Sequence, residues 1–286
     1  MKSFAFISLI CLSAQVFGSV PGMDVIYGDD NRKDVYESTD SALVELSKST
    51  AGMIPNSKLS NANGETTITG ATLESRGICQ EERFSSQMTA ANCSGFLVSE
   101  NVLVTAGHCI KSVEDCAGSK WVFDYKMDSE KQNSMKVATK NVYSCSRIIA
   151  RSLDNLTKDD YAVIELDRKV SDRRPLSFRR SGNITVGESI VVIGHPSGLP
   201  TKIADGAKVR SRSTKYFTAN LDTYGGNSGS AVFNYKTGEV EGILVRGEND
   251  YVQSPRGCMV SNKCAADGCR GEDVTYITHI KALQDL

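Results

Sequence analysis

From Cys93 to the C-terminus the chain is divided into short apolar runs. SGFLVS, NVLVTAG, KWVFDY, YAVIELD, ESIVVIGH, SAVFNY and VEGILVRG are rich in β-branched and aromatic residues, and turn residues separate them. Runs of this length suit strands and are too short for ordinary helices. Helical periodicity is confined to the end, where VTYITHIKALQDL places Ile277, Ile280 and Leu283 at helix spacing. Many short strands with one terminal helix predict an all-β chain, a sandwich or a barrel. The 286 residues suffice for one large domain or two modest lobes around a real core.

Ahead of this region the chain reads differently. Lys2 precedes the apolar run FAFISLICLSAQVF, and Val16 and Gly18 form a small-residue cleavage site before Ser19. Residues 1–18 therefore read as a secretory signal peptide, the run being short for a membrane span. Residues 19–76 are polar and irregular, with NSKLSNANGETTITG linker-like, and read as an N-terminal arm, a pro-segment or both. Charge is balanced, 33 basic against 34 acidic residues, so nothing points to a nucleic-acid partner. Setting Cys11 aside with the leader leaves Cys79, Cys93, Cys109, Cys116, Cys145, Cys258, Cys264 and Cys269. An even set on an exported chain favours disulfides and a secreted or periplasmic location. The absence of a CxxC pair and three scattered histidines argue against zinc.

Three motifs carry chemistry: VTAGHC with His108, DDYAVIEL with Asp160, and GGNSGS with Ser228. A serine hydroxyl is a weak nucleophile at neutral pH. It needs an imidazole to take its proton, and the imidazole needs a carboxylate to fix its tautomer and stabilise the cation. Each motif alone has an ordinary structural reading; together they supply all three types. The glycines of YGGNSGSAV read as a tight turn where backbone approaches something closely. His195, between a strand and a turn, and His279 read as structural or surface residues.

TAGHC, DYAVIEL and GNSGSAVF resemble the three signatures of the trypsin-like (chymotrypsin-fold) serine peptidases, in the order His, Asp, Ser. GGNSGS, with Asn227 before the serine, is similar to the bacterial glutamyl-endopeptidase (V8-like) branch. The resemblance covers residues 77–286. It implies two packed six-stranded antiparallel β-barrels, split near residue 178, with a C-terminal helix. It also implies Ser228 as nucleophile, His108 as general base and acid, Asp160 as orienting carboxylate, and an oxyanion hole at Gly226 and Ser228. Asp159 would point to the other strand face. A Cys93–Cys109 disulfide is implied beside the histidine, with the other six cysteines left unpaired by sequence.

For substrate binding the resemblance implies Asp222, Thr223 and Gly247. Asp222 stands where trypsin holds the carboxylate for Lys or Arg, favouring a basic P1 residue. Thr223 matches the glutamyl endopeptidases instead, but Leu244 occupies their histidine position, Val245 replaces a serine that supports the aspartate in trypsin, and Arg246 adds a cation. Asn227 lacks the charge with which trypsin receives a new amino terminus. The expectation is a secreted, monomeric serine endopeptidase without cofactor or metal, acting on protein or peptide substrates and engaging neither nucleic acid nor membrane. The alternatives are a Glu-specific peptidase of the same family, an inactive homologue that binds through the same cleft, and a structural secreted domain.

Overall fold

The computed structural model describes residues 25–284 and 286; the expected signal peptide, residues 1–18, lies outside them. Twelve strands make two closed barrels. The first consists of β1 (Thr50–Pro55), β2 (Cys93–Ser99), β3 (Val102–Thr105), β4 (Ser119–Phe123), β5 (Val142–Leu153) and β6 (Asp160–Leu166). Its order is β4-β5-β6-β3-β2-β1, and β1 returns to β4. The second consists of β7 (Ser189–Gly194), β8 (Lys202–Arg212), β9 (Tyr216–Ala219), β10 (Ala231–Asn234), β11 (Val240–Arg246) and β12 (Glu272–Tyr276). Its order is β7-β10-β11-β12-β9-β8, closed by β8 on β7. Every pairing within both barrels is antiparallel.

The barrels are not separate globules. One apolar cluster contains Val104 and Val163 of the first barrel together with Val191, Ile193, Phe233 and Val245 of the second. The interior of the second barrel is a distinct cluster that includes Ile190, Val192, Phe217, Val232 and Val274. Residues one apart on β7 thus point to different cores, as the two-residue strand period requires.

Three expectations need correction. An arm ending at residue 76 does not describe this chain: Thr50–Pro55 closes the first barrel, and Arg32–Asp34 extends β8 of the second. TAGMIP hides its strand character because Gly52 and Pro55 interrupt it; its buried position between β2 and β4 makes the strand. The linker-like stretch is a hairpin, Leu59–Ala62 with Glu65–Ile68, turning at Asn63 and Gly64 with φ of 53° and 80°. Positive φ at both turn residues is what an Asn-Gly hairpin needs. The C-terminal helix is two successive 3₁₀ turns, Ile277–His279 and Lys281–Leu283, rather than one α-helix. Ile277, Ile280 and Leu283, each 1% exposed, recur every three residues, which is the 3₁₀ period.

The eight described cysteines form four disulfides: Cys79–Cys258, Cys93–Cys109, Cys116–Cys145 and Cys264–Cys269. Cys79–Cys258 spans 179 residues, and in chain-entropy terms a closure of that length is worth about 5 kcal/mol.

His195, at the end of β7, is fully buried. Its ring lies 5.6 Å from that of Tyr125, Nδ1 is 3.1 Å from Ser94 Oγ, and Nε2 is 3.1 Å from Thr201 Oγ1. Burial, and secondarily Lys202, push its pKa down to about 3. The unfolded chain takes up this proton near pH 6.5, and the folded chain does not until near pH 3. The stabilisation is complete well above pH 6.5 and is lost as pH falls towards 3, by about 2 kcal/mol between pH 6.5 and 4.5. His195→Gln is expected to unfold in less urea than the parent at pH 7 but to show a flatter decline in stability down to pH 4.5. Equal declines in the two proteins would mean that His195 does not carry this dependence.

Candidate active site

His108 follows β3 and Asp160 opens β6. The two strands are antiparallel neighbours, with Ala162 opposite Thr105, so the start of β6 and the chain leaving β3 meet at the same barrel end. Asp160 Oδ1 accepts the backbone N–H of His108 at 3.1 Å, and Oδ2 lies 2.8 Å from His108 Nδ1. Asp160 is buried at 2% exposure, whereas the His108 side chain is 32% exposed. A carboxylate on Nδ1 fixes the proton there and leaves Nε2 as the accepting nitrogen. Asp159 turns away to Lys215 Nζ at 3.1 Å.

Val245 belongs to the core between the barrels and gives Asp160 no polar support. Arg246 stands there instead. Its Nη1 is 3.7 Å from Asp160 Oδ2, while its Nε donates to Asp273 Oδ2 at 3.2 Å. Asp160 thus lies between an imidazole and a guanidinium, which offsets part of the field the imidazole feels.

Ser228 sits in a turn held from several directions. Asn227 N–H donates to Tyr224 O at 2.9 Å, Ser230 N–H to Asn227 O at 2.8 Å, and Gly229 N–H to Leu244 O at 2.8 Å. The first barrel reaches across: Ser94 N–H donates to Ser228 O at 2.8 Å, and the Cys109 sulfur lies 3.7 Å from that oxygen. Ser228 is thereby brought beside the residue that follows His108.

Two glycines explain why YGGNSGSAV is built of small residues. Gly229 has φ +88°, and a Cβ there would lie 2.1 Å from Ser94 O and 2.2 Å from Thr105 Oγ1. Gly226 has φ +100°, and a Cβ there would lie 2.6 Å from His195 O and 2.8 Å from Gly198 N. What the backbone approaches is therefore the His195–Gly198 turn and the end of β3, so a side chain at Gly226 would strike the protein itself rather than merely crowd a substrate. Ser94 Oγ donates to Gly226 O at 2.8 Å and accepts His195 N–H at 3.0 Å. Neither Ser94 nor His195 stands out as a site residue in sequence; only the position of Ser94 beside Cys93 hints at it.

The expected substrate-binding residues do not form an open pocket for a cation. Asp222, 4% exposed, accepts Tyr27 N–H on Oδ1 and Asn31 N–H on Oδ2, each at 2.8 Å. Burial pushes its pKa up to about 6, with the two N–H groups acting the other way. Both carboxylate oxygens thus accept an N–H group of the N-terminal segment. Thr223 is fully buried and donates to Glu272 Oε2 at 3.1 Å. Gly247 is buried just beyond β11. Asn227 is buried and accepts from Ser230 Oγ at 3.3 Å. The cleft beside Gly226, about 440 Å³, is lined instead by residues that include Lys58, Arg76 and Ser197.

The family model described as "Trypsin-like peptidase domain" matches residues 93–243. Among curated proteins, the chain is 26% identical over 157 residues to "Uncharacterized protein y4fB" of Sinorhizobium fredii, covering 49% of this chain and 23% of that one. It is 28% identical over 155 residues to the "Extracellular metalloprotease" of Bacillus subtilis, covering 53% of this chain and 49% of that protein. The chain thus spans half or less of the length of these relatives. Among solved structures it is similar to "Structure of Glu endopeptidase in complex with MPD", with a TM-score of 0.51 at 17% identity, covering 89% of this chain and 94% of that one. Two six-stranded barrels, a histidine–aspartate pair at one barrel end and a match over half the chain agree: this protein belongs to the trypsin-like peptidase family.

Proposed function

We propose that this protein is an exported serine endopeptidase that cleaves peptide bonds through Ser228, His108 and Asp160. The observation that carries the reading is the pair of hydrogen bonds from His108 to the buried Asp160. It orients the imidazole so that Nε2 is the nitrogen available to a proton donor. Ser228 Oγ attacks the scissile carbonyl carbon and His108 Nε2 takes its proton. The N–H groups of Gly226 and Ser228 receive the developing oxyanion; one such donor is worth about 2.7–4 kcal/mol in the transition state. Collapse breaks the C–N bond and His108 returns the proton to the leaving amine. A water molecule, deprotonated by the same imidazole, then hydrolyses the acyl-enzyme.

The name of the Bacillus subtilis relative raises metal-dependent proteolysis as a second reading. The one convergence of potential ligand atoms among the described residues is Cys93, His108 and Cys109. Two of these are the sulfurs of a disulfide, so the donor set does not suit a metal. Four disulfides support export to an oxidising compartment. No helix among the described residues is long and apolar enough to cross a membrane.

The protein is expected to be labelled covalently by a fluorophosphonate and to cut a diverse peptide mixture, with both activities absent from Ser228→Ala. Cleavage abolished by a chelator but retained in Ser228→Ala would overturn the serine mechanism. Asp160→Asn is expected to keep the fold by circular dichroism while kcat falls about 10⁴-fold, as the equivalent change does in the chymotrypsin-type triad. Gly226→Ala tests the oxyanion turn against Gly64→Ala, because Gly64 also has positive φ, +80°, but open space around a Cβ. Both variants carry backbone strain of roughly 1–3 kcal/mol. Gly226→Ala alone is expected to lose labelling; equal labelling of the two would show that the close approach at Gly226 is irrelevant to the site.

A further inference from the structure

We propose that the cleft beside Gly226 is a subsite for a carboxylate, carried by an Asp or Glu within the first three residues after the scissile bond, and that Lys58 and Arg76 receive it. The inference rests on the serine-peptidase reading above, because that reading says on which side of the bond the cleft lies.

Position comes first. The cleft runs from Gly226 to Ala91 and Asn92, which lead directly into Cys93. The sulfurs of the Cys93–Cys109 bridge and a ring nitrogen of His108 lie within 4.8 Å of one another. His108 is the group that hands a proton to the leaving amine. The chain that follows the scissile bond therefore departs over this disulfide and enters the cleft. The volume, about 440 Å³, falls within the range of roughly 300–1,000 Å³ usual for binding pockets.

Charge comes second. Lys58 and Arg76 both line the cleft, and among the described residues no Asp or Glu does. Lys58 Nζ donates to Ala90 O at 3.0 Å. Arg76 Nη1 donates to Ser197 O at 2.9 Å and Thr89 Oγ1 at 3.2 Å. These partners are neutral, and they use only part of the three donors of an ammonium and the five of a guanidinium. Neither residue forms an ion pair among the described residues. Burial, and then the nearby Arg76, hold the Lys58 pKa below its usual value, so an anion between the two would relieve a repulsion already present.

Preorganisation comes third. Lys58 and Arg76 each end a 3₁₀ turn, Asn56–Lys58 and Glu74–Arg76. The carbonyl of Lys58 accepts Thr69 N–H at 2.9 Å and Thr69 Oγ1 at 3.2 Å. Gly77, at φ 93°, caps the turn behind Arg76 with its N–H on Glu74 O. The two cations extend from fixed backbone.

The test reads the triad and the subsite separately. Fluorophosphonate labelling reports the triad, and a proteome-derived peptide library cut by the parent and by Lys58→Gln/Arg76→Gln reports the subsite. Matched peptides carrying Glu, Gln or Lys at the second position after the cut then give kcat/KM, with free and amidated C-termini. The parent is expected to prefer Glu over Gln by about three- to tenfold, less at high salt, as partly solvated ion pairs allow. The double variant is expected to lose that preference while labelling at the parental rate. A preference confined to short products with a free C-terminus, and lost on amidation, would assign the carboxylate to a chain end rather than a side chain. No acidic preference in the parent, or one that survives in the double variant, overturns the subsite. Absence of labelling in the parent overturns the serine-peptidase reading and the subsite with it.

Discussion

Ser94 places each of its polar groups on a different part of the site. Its N–H holds Ser228 O, its carbonyl accepts Thr105 Oγ1 at 2.7 Å, and its hydroxyl lies between Gly226 O and the backbone and ring of His195. Ser94 belongs to the first barrel; Gly226, Ser228 and His195 belong to the second. The proposed nucleophile and its base come from different barrels, so their geometry is only as good as this junction. Ser94 and His195 are fully buried, which raises the cost of any bond they leave unmade. The same closeness demands glycine at 229 and 226, where no Cβ fits.

A second junction ties the N-terminal segment to the second barrel, and it is built from buried charge. Lys202 Nζ lies 2.6 Å from Asp34 Oδ1 and 2.7 Å from Gln87 Oε1, with Lys202 and Asp34 each 1% exposed. Burial brings the Lys202 pKa down to about 8 against the pull of Asp34. Arg32, 2% exposed, pairs with Asp30 and stacks 4.3 Å over Tyr224, the residue that opens the turn holding Ser228. Removing one partner from such a buried pair costs about 3–5 kcal/mol, far more than the pair contributes relative to an apolar filling. The segment is thus fixed in one place rather than merely adhering, and Asp222 completes the attachment.

The parts legible in sequence were those whose local chemistry and position coincide. His108 and Asp160 stand near strand ends with distinctive neighbours, and the structure brings these two side chains together while Asp159 turns to Lys215. Thr50–Pro55 was not legible, because a strand buried between two others needs no β-forming residues of its own. The Asn63-Gly64 turn carried the usual hairpin signal, but the polar residues around it masked that signal. The partners of Asp222 were not legible for a deeper reason: a buried carboxylate needs donors, and sequence does not show two backbone N–H groups arriving from nearly 200 residues away. Lys58 and Arg76 lie in stretches with no motif, so only the fold brings them to one cleft.

The pairing of Arg32–Asp34 with Lys202–Ala204 has a consequence for assembly. A chain that emerges N-terminus first presents this segment at the outset, yet the strand that receives it arrives about 170 residues later. Contacts of such sequence separation close late, because the loop entropy is lost before they reward it. Until then Val25 and Ile26, both fully buried in the finished protein, remain uncovered along with Arg32. The Ser228 turn stacked against Arg32 acquires its final support only when that last docking occurs, so order at the proposed catalytic centre coincides with completion of the fold.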